Sequence, residues 1–214
     1  MSLQDVISSR GIEEVVHFTT KFGLLGSFHT RAVLPRARLE RKAELAYILK
    51  HNASYRKDVA WLDYVNLSIT HINRHYYSVC SGKWHAGERL WWCIMSFDPR
   101  ILSDNGVVFT TTNNIYPSVI RAAGAEGLEN MFKPVIEGRY YVPISRSPAL
   151  APNVPTDEQA EVLYPGSLST NYLKRVYFKN DEDADEAAAY ACATNHAPVE
   201  IRVAPERFLG RGDV

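Results

Sequence analysis

The sequence predicts an α+β fold. Candidate strands are scattered along the chain without regular alternation with helices, and the helical stretches fall mostly near the front and the back. The chain has 214 residues, 46% hydrophobic and 22% charged, enough to bury one core but too few for two full-sized ones. Residues 1–214 are therefore read as a single domain.

The elements follow in order. GIEEVVHFTT sets β-branched and aromatic residues around His17 and reads as the first strand. RARLERKAELAYILK, residues 36–50, brings Leu39, Ala43, Ala46 and Ile48 or Leu49 near helical spacing and is expected to form one amphipathic helix. LDYVNLSIT, residues 62–70, alternates as a strand does, and THINRHYYSV after it reads as a short helix. RLWWCIMSF is a strongly apolar strand stopped at Asp98-Pro99, and VVFTTT, residues 107–112, is another candidate. Later strands are expected at 160–164, 174–178 and 199–203. Between the last two, the acidic NDEDADEAAAYACAT starts a helix whose N-terminus favours negative charge. Pro148, Pro152 and Pro155 hold SRSPALAPNVPTDEQ, residues 145–159, as an extended loop before a strand.

Composition narrows the function. Residues 1–100 carry 14 Lys/Arg against 9 Asp/Glu, and residues 101–214 carry 10 against 15, so a positive face can exist on a chain of zero net charge. No stretch approaches the roughly 20 apolar residues of a membrane span, and MSLQDVISSR lacks the order of a signal peptide, so a cytoplasmic location without membrane contact is expected. Cys80, Cys93 and Cys192 read as ordinary thiols. The phosphate-binding motifs GxGxxG and GxxxxGK[ST] and the hydrolase elbow GxSxG are absent. His71 and His75 stand at i, i+4 with no third ligand nearby, which leaves no metal expected. Trp84, Trp91, Trp92 and Phe97 could stack bases, but apolar residues on a strand are more often core.

Three separated strings carry more: His17-Phe18-Thr19, then Tyr64-Val65-Asn66-Leu67-Ser68-Ile69, then Gln159-Ala160-Glu161-Val162-Leu163 followed by Tyr164-Pro165-Gly166-Ser167. A strand-borne His, a Ser on a central strand and a Glu on a late strand, in that order, resemble the ADP-ribosyltransferase superfamily. The His-aromatic-Thr start and the QAEVL-like strand resemble, more closely, the DarT family of DNA ADP-ribosyltransferase toxins. With VVFTTTNN included, the likeness spans residues 12–175. It implies a split β-sheet core with flanking helices, and NAD as the substrate.

The resemblance assigns roles that chemistry can justify. Breaking the nicotinamide–ribose bond develops positive charge on the ribose, which a carboxylate stabilises. Glu161, in the apolar run AEVLY, fits that role and could also deprotonate the acceptor. His17 and Thr19 share one face of a strand and, with Phe18 and Ser68, are expected to bind NAD. Arg56 is expected to be the family's functional arginine, with Arg31, Arg36, Arg38 and Arg41 as partners for the pyrophosphate. The loop ending at Gln159 is expected to contact the acceptor. The resemblance further implies single-stranded DNA as that acceptor and an antitoxin partner carrying a macrodomain. The alternatives are an enzyme of this fold acting on protein or RNA, or a catalytically silent NAD- or nucleic-acid-binding module.

Overall fold

The computed structural model describes residues 1–49 and 59–209. Its frame is an eight-stranded sheet in the order β12-β11-β4-β1-β3-β9-β5-β6. The strands are β1 Val15–Thr20, β3 Tyr64–Ile69, β4 Trp92–Phe97, β5 Val108–Thr110, β6 Arg121–Ala123, β9 Val162–Pro165, β11 Leu173–Phe178 and β12 Glu200–Val203. The short strands β2 Ala32–Val33 and β10 Leu168–Ser169 pair with each other, as do β7 Val135–Glu137 and β8 Pro143–Ser145. Every pairing in the large sheet is antiparallel except β11 with β12. The predicted α+β class with a split sheet is therefore observed.

Two apolar clusters sandwich the sheet. α1 (Leu3–Arg10), α2 (Lys21–Thr30), α6 (Gly124–Asn130) and α7 (Asp181–Ala193) cover one face, where Val15, Leu24, Phe28, Leu67, Met95, Phe97 and Leu128 are buried together. On the other face, α5 (Arg74–Val79) and a terminal 3-10 turn enclose Val16, Tyr77, Trp92, Ile94 and Phe208. β4 lies between the two, so all six of its residues are buried. That is why its sequence is a continuous apolar run without alternation. β3 is half-exposed at Tyr64, Asn66 and Ser68 and buried at Val65, Leu67 and Ile69, the alternation of a strand with one face on the core.

The split lies between β1 and β3. They pair only at Val15 with Ile69 and Val16 with Ser68. Beyond those residues β1 follows β4 to its end, through Thr20 opposite Trp92, while β3 follows β9, from Leu67 opposite Val162 to Tyr64 opposite Pro165. A wedge therefore opens at the centre of the sheet.

The predicted helix over residues 36–50 is not one helix. α3 (Arg36–Leu39), a 3-10 turn Ala43–Leu45 and α4 (Ala46–Leu49) are separated by extended backbone at Lys42, φ −118° and ψ 94°. The break lets Leu39, Leu45 and Ile48 converge on one cluster of their own with Leu34, Tyr47 and Leu49, which a straight helix would spread around its axis. The predicted acidic N-terminus of α7 is observed, capped by Asn180, whose side chain accepts from the Asp183 N–H at 2.9 Å. No helix among the described residues is long and apolar enough to cross a membrane.

Candidate active site

A cavity of about 610 Å³ occupies the wedge, within the range of about 300–1,000 Å³ usual for small-molecule sites. β1 and β3 form its floor, α2 and the 34–48 segment one wall, α5 another, and Asn113, Ile115, Tyr116, Arg139, Gln159 and Glu161 the third. The structure brings His17, Phe18, Thr19, Ser68 and Glu161 together on this one cavity, although they are spread over 145 positions of sequence.

Each is held by its own element. The His17 ring crosses the wedge, and its Nδ1 lies 2.9 Å from the carbonyl oxygen of Asn66 in β3. A carbonyl only accepts, so Nδ1 carries the proton. Burial pushes the imidazole's pKa down, which keeps it neutral and leaves Nε2 an acceptor. Thr19 lies under the first turn of α2, where a Cβ on Gly23 would stand 1.9 Å from its Oγ1, so the close approach of helix to strand requires glycine there. α2 starts directly from β1, capped by Thr20, and turns Gly23, Gly26, Ser27 and Thr30 towards the cavity. These small side chains leave the volume open. The Phe18 ring packs 5.5 Å from Tyr77 and 5.7 Å from Tyr76.

Glu161 stands one residue before β9. Its backbone carbonyl accepts from the Thr110 N–H at 2.9 Å and its own N–H donates to Thr110 Oγ1 at 2.9 Å, so a side chain completes the pairing that a regular strand would continue. Oε2 accepts from Asn66 Nδ2 at 3.3 Å and from the Asn114 N–H at 3.1 Å. Two converging donors fix the carboxylate's attitude. β5 ends at Thr110, short of the expected Thr112. The Thr112 hydroxyl donates to Asp157 and the Thr111 N–H to the Ile120 carbonyl at 3.1 Å, which turns 113–116 onto Glu161.

The arginines divide. Arg56 lies outside the described residues. Arg36 lines the cavity and pairs with Glu40 at 2.7 Å. Arg38 is committed to Asp63 at 2.9 Å and to Ser167 at 2.8 Å. Arg31 joins the C-terminal ends of α2 and α7 through the carbonyls of Phe28, Thr194 and Asn195, a structural post for a cation. Arg41 is exposed and does not line the cavity.

The proline-bearing loop is expected to meet the acceptor rather than NAD. No residue of Ala151–Thr156 lines the cavity. Arg146 donates to the Ala151 and Val154 carbonyls, each at 2.7 Å, Thr70 donates to the Asn153 carbonyl at 2.8 Å, and the Thr156 N–H bonds Met131 at 2.9 Å. Only the loop's end, Gln159, reaches the cavity, bonded to the Tyr116 hydroxyl at 2.8 Å. His71 precedes α5 while His75 lies within it, so the pair does not share a helix. Among the described residues no group of three His, Cys, Asp or Glu could hold a metal ion.

Sequence reasoning missed Asn66, Asn114, Tyr116 and Arg139. Asn66 had a signal: it is an amide on a strand, two residues before Ser68 and so on the same face. The others sit on turns that only the tertiary fold brings to Glu161 or to its cavity.

Comparison with known proteins agrees with this geometry. Residues 16–209 match the family described as "DarT: ssDNA thymidine ADP-ribosyltransferase, DarT". No curated protein matches the sequence. Among solved structures, Thermus sp. 2.9 DarT in complex with NAD+ superposes with a TM-score of 0.64 at 13% identity, over 92% of this chain and 98% of that one. The same protein in complex with ADP-ribosylated ssDNA gives 0.63 at 13%, over 93% and 97%. Thermosipho africanus DarTG in complex with ADP-ribose gives 0.57 at 14%, covering 92% of this chain but 51% of that one. At these identities the structures show a shared fold, while the match over residues 16–209 shows the family: the chain belongs to the DarT family of ssDNA thymidine ADP-ribosyltransferases.

Proposed function

We propose that this protein transfers ADP-ribose from NAD to a thymidine base in single-stranded DNA, with Glu161 as the catalytic carboxylate. The observation that carries the reading is the placement of Glu161 at the fork of the split sheet, oriented by Asn66 and Asn114 and sharing one cavity with His17. In the reaction the bond between ribose C1′ and the nicotinamide nitrogen breaks, and its electron pair neutralises the pyridinium as nicotinamide leaves. The thymine imide nitrogen supplies the pair for the new bond to C1′, and its proton passes to the Glu161 carboxylate. The same carboxylate opposes the positive charge that builds on the ribose before the new bond forms.

The remaining residues bind and orient NAD. His17 Nε2 accepts from a ribose hydroxyl, Thr19 and Ser68 offer hydroxyls beside the ribose and the backbone at Phe18 meets the nicotinamide amide. Arg56 positions the pyrophosphate together with Arg36. A cytoplasmic toxin acting on DNA calls for an antitoxin able to remove the modification. A macrodomain is the partner proposed here, and the DarTG relative, of which the chain covers 51%, supports such a pairing.

Incubation with labelled NAD and a panel of single-stranded DNA, duplex DNA, RNA and protein tests the reading. Single strands are expected to be labelled well and duplex poorly, because unpairing and unstacking a base costs a few kcal/mol. Equal labelling of both DNA forms, or of protein alone, overturns it.

A further inference from the structure

We infer that the tip of the β7–β8 hairpin, Arg139-Tyr140-Tyr141, is the platform on which single-stranded DNA stacks beside the reacting thymidine. The inference rests on the transfer reading above and adds a place for the flanking nucleotides. Tyr140 is 74% exposed and Tyr141 59%, among the most exposed large hydrophobic side chains of the described residues. Both lie at positive φ, 58° and 60°, in the centre of a turn closed by the Val142 N–H on the Arg139 carbonyl at 3.2 Å. Two successive left-handed residues suit Asn and Gly and strain a tyrosine. The hairpin thus carries two large rings into water against both the hydrophobic and the conformational preference, a combination that points to a ligand.

What surrounds the tip identifies that ligand. Arg139 lines the same cavity as Glu161, as does Ile115, itself 46% exposed, so the patch continues the reaction site. Arg139 donates to the Tyr140 hydroxyl at 2.8 Å and its guanidinium lies 4.6 Å from that ring's centroid, which holds the ring's attitude. The Ser118 hydroxyl anchors the base of the tip on the Gly138 carbonyl at 2.6 Å. Presented π-faces beside a cation are the chemistry that binds unpaired bases and their phosphates. Tyr76 and Trp84, exposed aromatics elsewhere on the cavity wall, pack edge-on at 5.9 Å, and Tyr76 also meets Phe18, which commits those rings to their neighbours.

The test replaces the rings with residues the turn prefers: Tyr140→Asn together with Tyr141→Gly. This variant is expected to melt no lower than wild type, to keep its NAD affinity by calorimetry, and to bind a short fluorescein-labelled oligothymidylate about 5- to 100-fold more weakly by anisotropy. Tyr140→Phe with Tyr141→Phe, which keeps the rings, is expected to bind like wild type. Unchanged oligothymidylate affinity in the Asn-Gly variant, or a wild type that does not bind the strand, overturns the platform. Binding that depends on the rings without any transfer from labelled NAD upholds the platform and refutes the transfer reading instead.

Discussion

Glu161→Gln separates charge from shape at the centre of the proposed site. A glutamine amide oxygen can still accept from Asn66 Nδ2 and from the Asn114 N–H, which bond the carboxylate at 3.3 and 3.1 Å, so the position and the local fold should survive. What is lost is the negative charge. A full charge pair about 4 Å apart contributes about 4 kcal/mol at an effective dielectric of about 20, and the ribose carries only part of a charge in the transition state. A loss of about 2–4 kcal/mol follows, a fall in kcat of about 30- to 1,000-fold. NAD affinity should stay within a few-fold of wild type, because the interaction strengthens only as the bond breaks. Single-turnover labelling of a thymidine-containing single strand gives the rate, calorimetry gives the affinity, and a thermal melt reports the fold. A Gln variant that retains turnover within a few-fold of wild type, with normal melting, removes Glu161 from the mechanism.

Three further predictions bear on the same frame. Asn66→Ala deletes a hydrogen bond to a charged acceptor, worth about 1.5–3 kcal/mol, and should lower kcat about 10- to 100-fold with little change in KM for NAD; an unchanged kcat shows that Asn114 alone orients Glu161. His17 is held neutral by burial, so its folded pKa lies below its unfolded value near about 6.5, the unfolded chain binds more protons below that pH, and the stability it contributes is present above it and lost as pH falls. The urea midpoint of His17→Gln should therefore vary less between about pH 5 and 7 than that of wild type; identical profiles refute the assignment. Gly127→Ala places a Cβ 2.2 Å from the Ala122 carbonyl oxygen, backbone that cannot swing away, so α6 must lift from β6 at a cost of about 1–3 kcal/mol, read as a lower melting temperature.

The legible parts of the fold were those with short-range signals. β1, β3, β4, β11 and α7 announce themselves through alternation, an unbroken apolar run, or a cap with an acidic first turn; β3, β11 and α7 lie within two residues of their expected bounds, while β1 and β4 end where expected but start four and three residues late. α2 was missed because KFGLLGSFHT carries two glycines, poor helix formers, retained here for the close approach to Thr19 and for cavity space. The region 36–50 shows the opposite failure: its apolar spacing fits a helix, but packing among its own residues breaks the helix at Lys42. For the site, His17, Ser68 and Glu161 were found through motif order. Asn114 and Arg139 were not, because nothing in their local sequence shows that a turn after β5 meets the Glu161 carboxylate or that a hairpin tip reaches the same cavity.

Asn66 explains why the wedge is stable and why it is useful. Where β1 and β3 part, the facing backbone groups lose their partners, and a buried unpaired carbonyl is costly. At Asn66 the loss is repaired by the His17 ring, which donates across the gap to the Asn66 carbonyl at 2.9 Å. The same residue's side chain donates to Glu161 on the next strand at 3.3 Å. One residue thus ties the strand proposed to hold NAD to the carboxylate proposed to act on it. A shift of β3 against β1 by one residue would turn the Asn66 side chain to the opposite face and remove its bond to Glu161. The two pairings that close the wedge, Val15 with Ile69 and Val16 with Ser68, set that register, and Val15, Val16 and Ile69 are buried in the apolar core, where slippage is most costly.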